Sequence, residues 1–293
     1  MSYRIVYTAD VHGNEVQYKK LVQRAIDTNA HAVVIGGDIA PKGISIDRFI
    51  ESQRFFFEKR LPDLVRPLSE QTPRIKLFLM MGNDDCVVNN DVFERFEGEL
   101  YQIIHGKRLS LTNNFDIVGY SYVPITPFGI KDWEKFDLSF ANERVRNDYA
   151  QRKRSNYRFD GFKSTVNGWV PFHFQQGLEK FDSIQKDLGQ ELFTKNSRKT
   201  VYVIHTPPNN TCLDQIANHR HVGSFAVRSF VEVMQPYVTL HGHIHETVDV
   251  SGNFREVIGD SICLSPGNDN ESNNLAVISF DAYDLRTIQR KTL

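Results

Sequence analysis

The sequence has few cysteines and no long apolar run, and each shortage excludes a class of protein. Three cysteines among 293 residues, none in a CxxC spacing, fit reduced thiols better than a disulfide framework. The run Leu77 to Met81 is among the longest apolar stretches and falls far below the roughly 18 residues that a membrane span needs. The N-terminus lacks a basic segment followed by a long apolar one, so we expect a cytoplasmic protein without membrane association.

The sequence also lacks an excess of either basic or acidic residues. Lys and Arg total 35 against 36 Asp and Glu, which gives a formal net charge of −1. This balance argues against a protein that holds nucleic acid by bulk charge. Hydrophobic residues make up 40% and charged residues 24%, as in an ordinary globular protein. The length allows one large or two ordinary domains, at about 150 residues each.

The first third of the chain alternates between strand and helix patterns. β-rich runs at Arg4 to Ala9, Ala32 to Ile35 and Ile75 to Met80 alternate with helical apolar spacing at Glu15 to Thr28 and Ile46 to Leu64. This order predicts βαβ units and a largely parallel sheet.

The remainder predicts a second strand-rich region around an irregular segment. We predict helices from about Leu178 to Phe193 and at Phe225 to Met234, and no clear strand from Pro124 to Ser197. The further predicted strands are Tyr101 to Ile104, Phe115 to Tyr120, Val201 to Ile204, Tyr237 to Leu240, His245 to Val250, Phe254 to Ile258, Ser261 to Leu264, Ala276 to Phe280 and Leu285 to Arg290.

Polar residues and glycines follow five of the predicted strands. The carboxyl ends of parallel strands form the crevice of an open α/β sheet, so side chains at these ends are expected to meet. Imidazole, carboxylate and amide groups suit borderline cations, and two such ions about 3.5–4 Å apart promote displacement at phosphorus. One segment alone is as well explained by a turn, but the ordered set is not. The segments are Asp10-Val11-His12-Gly13-Asn14, Gly36-Gly37-Asp38, Gly82-Asn83-Asp84-Asp85, His205, and His241-Gly242-His243-Ile244-His245.

This ordered set resembles the signature of the calcineurin-like metallophosphoesterase superfamily, which is D-x-H, GD, GNH with an acid, a lone His and GHxH. The resemblance covers the chain except for roughly residues 124–197. It implies a four-layer α/β/β/α sandwich with a metal site between two sheets. It also implies hydrolysis of a phosphate ester or anhydride by a hydroxide shared between two divalent ions, with Mn²⁺ favoured over Fe, Zn, Ni or Co. One ion would be held by Asp10, His12, Asp38 and His245, and the other by Asp38, Asn83, His205 and His243.

One position departs from the family pattern. Asp84 stands where the family has a histidine that stabilises the transition state or protonates the leaving oxygen, and Asp85 stands where an acid orients that histidine. A carboxyl near two cations is driven toward its ionised form, in which Asp84 cannot donate a proton. Two alternatives follow: either the leaving group needs little protonation, or another residue is the donor, with His221 and His219 as candidates.

Three polar residues near the predicted site each have two explanations. Ser224 fits the N-cap of the helix at Phe225, and a Gly-Ser at a helix N-terminus also fits a phosphate contact. Arg228, one turn into that helix, is either a phosphate contact or a surface arginine. Asn14 fits the N-cap of the Glu15 helix better than an active-site role.

The segment from about 124 to 197 interrupts what we predict to be a single phosphoesterase domain over residues 1–293. Within it, Glu143 to Lys163 holds seven basic and three acidic side chains interleaved with aromatic ones. Such a composition suits a lid or substrate-binding subdomain, a grip on single-stranded nucleic acid, or a solvated insertion. We therefore predict a phosphoesterase acting on a small phosphorylated or nucleotide-like substrate. The alternatives are a nuclease of the same chemistry and a non-catalytic metal-binding scaffold.

Overall fold

The structure is a computed structural model that describes residues 2–42, 46–139, 158–175, 177–269 and 272–293. Most of the basic and aromatic run from Glu143 to Lys163 lies outside these ranges. The described strands are β1 (Arg4–Thr8), β2 (Ala32–Gly36), β3 (Lys76–Met80), β4 (Gln102–Ile103), β5 (Arg108–Ser110), β6 (Asp116–Tyr120), β7 (Val123–Pro124), β8 (Glu134–Lys135), β9 (Asp160–Thr165), β10 (Gly168–His173), β11 (Thr200–Ile204), β12 (Val238–Leu240), β13 (Arg255–Ile258), β14 (Ser261–Leu264), β15 (Ala276–Asp281) and β16 (Asp284–Thr292). The described α-helices are α1 (Glu15–Asp27), α2 (Ile46–Phe55), α3 (Leu61–Ser69), α4 (Asn90–Phe93), α5 (Ile184–Leu188), α6 (Glu191–Thr194), α7 (Phe225–Met234) and α8 (Thr247–Ser251).

The first large sheet, sheet I, has the strand order β16-β15-β1-β2-β3-β4. Strands β1 to β4 pair in parallel, and β15 and β16 add an antiparallel edge. Every residue of β2 is buried, as expected for a central parallel strand that is covered on both faces. Helix α1 begins where the Asn14 side chain accepts hydrogen bonds from the N–H groups of Val16 and Gln17, which confirms the predicted N-cap.

The second large sheet, sheet II, has the strand order β13-β14-β12-β11-β6-β5. Strands β6, β11, β12 and β14 pair in parallel, and β5 and β13 are antiparallel edges. Each sheet therefore has a parallel centre, and a parallel strand presents its carboxyl end to the same edge as its neighbours.

Three hydrophobic cores separate four layers of secondary structure. The core between the sheets contains Tyr7 and Val34 from sheet I and Val203 and Leu240 from sheet II. A second core packs sheet I against α1 and α3, and a third packs sheet II against α5 and α7. This arrangement confirms the predicted α/β/β/α sandwich. In the part of the chain that the structure describes, no helix is both long and apolar enough to cross a membrane.

Two predictions about residues 124–197 are wrong. The single helix predicted from Leu178 to Phe193 is two short helices, because Ser183 caps the start of α5 and Gly189 ends it. The segment also contains strands: β9 and β10 form an antiparallel hairpin in which Gly168 pairs with Thr165. Neither face of this hairpin is continuously buried, so its sequence lacks the apolar run or alternation that marks a strand.

The prediction of a strand from His245 to Val250 is also wrong. Its apolar and polar residues alternate like those of a strand, but residues from Thr247 onward form α8. Gly252 ends this helix with a φ of 73°, a left-handed conformation that glycine adopts readily. The chain therefore turns away from sheet II directly after His245.

Candidate metal centre

The five polar segments meet where the parallel strands of both sheets end. From sheet I, Asp10 and His12 follow β1, Asp38 follows β2, and Asn83 follows β3. From sheet II, His205 follows β11 directly, and the segment His241 to His245 follows β12. Sheet I thus contributes the carboxylates, and sheet II contributes most of the imidazoles.

The backbone is strained at four residues of this region. Asp10, His12, Asp38 and His243 have φ values of 57°, 45°, 51° and 70°. Such left-handed conformations cost roughly 1–2 kcal/mol for a residue with a side chain, and they concentrate at functional sites. Cross-strand hydrogen bonds maintain two of them: the Asp10 N–H donates to the Gly37 carbonyl over 3.1 Å, and the His12 N–H donates to the Asp38 carbonyl over 2.9 Å.

Asp10, His12, Asp38 and His245 form one compact group of potential ligands. Each offers one donor atom, and these atoms lie within 4.8 Å of one another. The Nε2 atoms of His12 and His245 are 3.2 Å apart, and His12 Nε2 lies 3.6 Å from Asp38 Oδ2. This is the first ligand set that the family resemblance implies.

The second implied set converges on Asn83 and Asp38. His205 Nε2 lies 3.1 Å from Asn83 Oδ1 and 3.4 Å from Asp38 Oδ2. His243 Nδ1 lies 2.6 Å from the same Asn83 oxygen. Asp38 Oδ2 therefore lies between the Nε2 atoms of His12 and His205, at 3.6 and 3.4 Å.

Burial lowers the pKa values of the buried histidines, whereas the neighbouring carboxylates raise them. Burial lowers the pKa of His243 to about 3 and holds the pKa of His12 well below its ordinary value. Burial also opposes the charge of His205, but Asp38 outweighs it and raises the pKa of His205 to about 9. Burial alone would raise the pKa of Asp38, yet His205 and His12 bring it below its ordinary range. Asp38 and His205 thus form a buried ion pair.

The donor set fits divalent cations. Neutral imidazole, carboxylate and amide oxygen are ligands for Mn²⁺, Fe, Co²⁺ and Zn²⁺, and a cation bound beside Asp38 would take the place of the His205 proton. Among the residues that the structure describes, the buried Nδ1 of His12 has no hydrogen-bond partner. A buried polar atom without a partner is unfavourable in the protein alone.

Asp85 and Asp84 occupy different surroundings although they are adjacent. The buried Asp85 carboxylate accepts hydrogen bonds from the N–H groups of Gly82, Ile39 and Ala40, so it holds the loops after β2 and β3 together. A catalytic role for Asp85 stays a prediction. Asp84 points toward the cluster, and its Oδ2 lies 4.0 Å from His12 Nδ1.

Lys42 is a site residue that the sequence reasoning missed. Its Nζ lies 3.5 Å from Asp84 Oδ2, at the mouth of the cluster. Burial and the nearby Asp38 raise the pKa of Asp84 to about 6, whereas Lys42 opposes that rise. The motif search did not identify Lys42 because it lies beyond the GGD segment, in a loop without regular spacing.

Asn268 and Gln53 are two further residues that the motif search passed over. The buried Asn268 donates from Nδ2 to the Asp10 carbonyl over 3.1 Å. Gln53 donates from Nε2 to the Asp84 carbonyl over 2.7 Å and accepts the Cys86 N–H. Asn268 lies in the loop after β14, which is parallel to β12, so the rule of polar strand ends could have found it.

The structure ties Ser224 and Arg228 to their own helix. The buried Ser224 hydroxyl caps α7 and donates to the Asp137 carboxylate over 2.5 Å. Asp137 also accepts the N–H of Phe225. A carboxylate of the protein therefore occupies the helix N-terminus, which is the place of the predicted phosphate contact. Arg228 pairs with Glu232 over 2.6 Å. A substrate contact by Ser224 or Arg228 stays a prediction.

The two candidate donor histidines lie in the loop that follows the His205 strand. His221 Nδ1 lies 2.6 Å from the buried Asp214 carboxylate, and the ring is one-third exposed. His219 is exposed and lies near Gln215. A role for either histidine as a proton donor stays a prediction.

Comparison with known proteins agrees with this geometry. Residues 3–247 match the family described as "Calcineurin-like phosphoesterase". A search of curated proteins finds no significant match. The fold resembles TT1561 of Thermus thermophilus, with 15% identity, a TM-score of 0.55, and coverage of 100% of this chain and 99% of the other. It also resembles a dimetal phosphatase from Danio rerio, with 12% identity, a TM-score of 0.52, and coverage of 99% and 98%.

A four-layer sandwich with an Asp/His cluster at the strand ends is the architecture of metal-dependent phosphoester hydrolases. The family match extends over most of the chain and includes all seven implied ligands. The chain therefore belongs to the calcineurin-like phosphoesterase family, and it is a phosphoester hydrolase.

Proposed function

We propose that this phosphoesterase works with two divalent ions, Mn²⁺ foremost. The observation that carries the proposal is the position of Asp38 between His12 and His205, at 3.6 and 3.4 Å from their Nε2 atoms. When bound, two ions supply Lewis acidity at the phosphoryl oxygens and lower the pKa of the attacking water. One ion would be held by Asp10, His12, Asp38 and His245, and the other by Asp38, Asn83, His205 and His243.

The groups of this chain that face the substrate differ from the family pattern. Asp84 replaces the usual histidine and carries negative charge, which disfavours a phosphate dianion. Lys42, 3.5 Å away, offsets that charge at the mouth of the site. We expect substrates with a good leaving group, such as anhydrides or activated esters, or a proton donated by Lys42 or His221.

The substrate class that we favour is a small phosphorylated or nucleotide-like molecule. A nuclease is less favoured because the formal net charge is −1, and nucleic-acid binding depends on many cationic contacts. A non-catalytic scaffold is less favoured because it has no need of seven matched ligands. The sparse, free cysteines support a reducing compartment, and we propose the cytoplasm.

Metal content and turnover test this proposal together. The purified protein is analysed for bound metal and assayed with 4-nitrophenyl phosphate and bis(4-nitrophenyl) phosphate in added Mn²⁺. We expect up to two ions per chain and turnover of at least one substrate. Asp38→Asn, which keeps the shape of the side chain, should abolish activity while circular dichroism stays unchanged. Less than one ion per chain with no turnover would overturn the proposal, and an active Asp38→Asn variant would refute the shared ligand.

A further inference from the structure

A cavity of about 430 Å³ opens beside the metal centre, with His243 in its lining. Its other walls are residues 124–128, parts of the loop 216–222, and residues 244 and 246. Ligand pockets for small molecules usually have volumes of about 300–1,000 Å³. The cavity is therefore large enough for an organic group attached to a phosphate at the metal centre.

One wall is apolar because its polar atoms are bonded elsewhere. Ile125 and Ile244 are buried apolar lining residues, and Phe128, half exposed, adds an aromatic ring. Thr126 directs its N–H and hydroxyl to the buried Glu134 carboxylate, which pairs with Lys131 over 2.8 Å. This buried network fixes the wall and leaves aliphatic and aromatic surface toward the cavity.

The opposite wall is anchored by Asp214. This buried carboxylate accepts the N–H groups of Thr211 and Gly223 over 2.9 Å each and contacts His221 Nδ1. The loop between these anchors is thus held at both ends, and it contributes Arg220 to the cavity lining. A fixed loop presents its side chains to a ligand at a lower entropic cost.

The cavity lining includes two charged side chains, those of Arg220 and Glu246. Within the residues that the structure describes, neither the Arg220 guanidinium nor the Glu246 carboxylate forms a hydrogen bond or ion pair. A guanidinium matches phosphate oxygens, whereas a carboxylate accepts hydrogen bonds from hydroxyl groups. The cavity therefore combines an aromatic surface, a hydroxyl acceptor and an anion-binding group beside a phosphoesterase centre.

We propose that this cavity binds the nucleoside part of a nucleotide substrate. The base would lie against Phe128 and Ile125, the ribose hydroxyls would donate to Glu246, and Arg220 would pair with a phosphate. The inference rests on the proposed function of the adjoining centre for the position of the scissile phosphate. It names the substrate class that the activity alone leaves open.

Calorimetric titration of three probes tests the nucleoside site separately from catalysis. Adenosine is titrated into the metal-free protein, and AMP and inorganic phosphate are titrated into the protein loaded with Mn²⁺. We expect measurable adenosine binding, and AMP binding at least tenfold tighter than phosphate binding. Ala217→Trp, which fills the cavity, should weaken AMP binding at least tenfold and leave the affinity for phosphate within twofold of the wild-type value. Val166→Trp, at the exposed tip of the β9–β10 hairpin, is the matched control.

Two additional variants separate the roles within the cavity. Arg220→Gln should weaken AMP binding but leave the affinity for adenosine within twofold of the wild-type value. Arg255→Gln, on an edge strand, is its control. Phe128→Ala, at a half-exposed position that folding should tolerate, replaces Ala217→Trp if that protein does not fold. AMP binding within twofold of phosphate, or AMP binding that the folded cavity variants leave unchanged, would overturn the inference. Adenosine binding without any phosphoesterase activity would overturn only the proposed function.

Discussion

Asp84 and Lys42 together change the charge that a phosphate meets at this site. All seven implied ligands keep the family pattern, but the position after Asn83 is a carboxylate in place of an imidazole. The Lys42 ammonium 3.5 Å away offsets the negative charge that the carboxylate adds. Since Asp84 lies 4.0 Å from His12 Nδ1, the charges of this pair would act on a substrate bound there.

Substitution of Lys42 should therefore lower kcat/KM strongly only in proteins that retain Asp84. We expect Lys42→Met to lower kcat/KM by about tenfold for a monoester, because the Asp84 charge is then unbalanced. In an Asp84→His background the same change should lower it by less than threefold. Steady-state kinetics on the four proteins measure this coupling, with Lys199→Met as an exposed control. An equal loss in both backgrounds would contradict the pairing.

Asp84→His should also shift the substrate preference. A monoester dianion is repelled by Asp84 more strongly than a diester monoanion, so removal of the carboxylate favours the monoester. We expect monoester turnover to rise at least threefold relative to diester turnover. The ratio of rates with 4-nitrophenyl phosphate and bis(4-nitrophenyl) phosphate measures the shift. If the ratio stays the same, Asp84 does not select the substrate.

His105, away from the metal ligands, should give the fold a pH dependence. It packs against Tyr122 and Trp133, and burial lowers its pKa from 6.5 to about 4. Between those values the unfolded chain binds more protons than the folded one, so stability falls as the pH falls from 6.5 to 4. The loss is on the order of 3 kcal/mol.

The variant His105→Asn tests this dependence, because its Oδ1 can still accept the Ser121 N–H that bonds to Nδ1. In urea titrations of metal-free protein, the wild type should lose more stability than the variant between pH 6.5 and 4. Parallel curves for the two proteins would show that the pKa of His105 is the same in the folded and unfolded states.

The turns after β2 and β3 approach each other so closely that only glycine fits at Gly82. A Cβ there would lie 2.3 Å from the Asp38 nitrogen and 2.8 Å from His205 Nε2. Such distances are far below van der Waals contact, so one strand end must move if the other gains a methyl group.

Gly82→Ala should consequently disturb the ligands of both sheets at once. We expect metal content to fall below half of the wild-type value and activity to fall with it. Gly189→Ala is the matched control, since a Cβ there meets no atom closer than 3.4 Å. Elemental analysis and circular dichroism distinguish a lost site from a lost fold. Full metal content in Gly82→Ala would show that the loops accommodate the methyl group.

The implied metal ligands come from two sheets that are otherwise joined by their apolar faces. Sheet I supplies Asp10, His12, Asp38 and Asn83, and sheet II supplies the three other histidines. Ions bound at their junction would connect the two halves, and binding to the folded state alone would raise stability by mass action.

Metal should therefore stabilise the whole molecule. At a free Mn²⁺ concentration 100 times Kd, each site should add about 2.7 kcal/mol to the free energy of unfolding. Scanning calorimetry with Mn²⁺ and with EDTA measures the difference in Tm. Asp38→Asn, which alters a ligand common to both implied sets, should lose most of the shift. Identical Tm values with and without Mn²⁺ would contradict metal binding at the junction.

The regular elements that flank the site could be predicted from their patterns, whereas the irregular ones could not. The runs that became β1, β2 and β3 are buried on both faces and read as continuous apolar stretches. The β9–β10 hairpin is half exposed, and α8 is very short. Neither has enough buried positions for its apolar residues to show the periodicity of a strand or a helix. Their conformation depends on neighbours distant in the chain.

The sequence by itself determined the family through its ordered motifs, and the sandwich followed from that resemblance. It also determined which polar residues lie at the strand ends, because parallel strands bring their carboxyl ends to one edge whatever the loops do. Tertiary structure alone decided which polar groups face that edge. It placed Lys42 beside Asp84, bound Ser224 to Asp137, and gave the Arg220 guanidinium at the cavity no partner among the residues that the structure describes. Pairings of this kind depend on loops that have no period, so only their folded positions determine which charges meet.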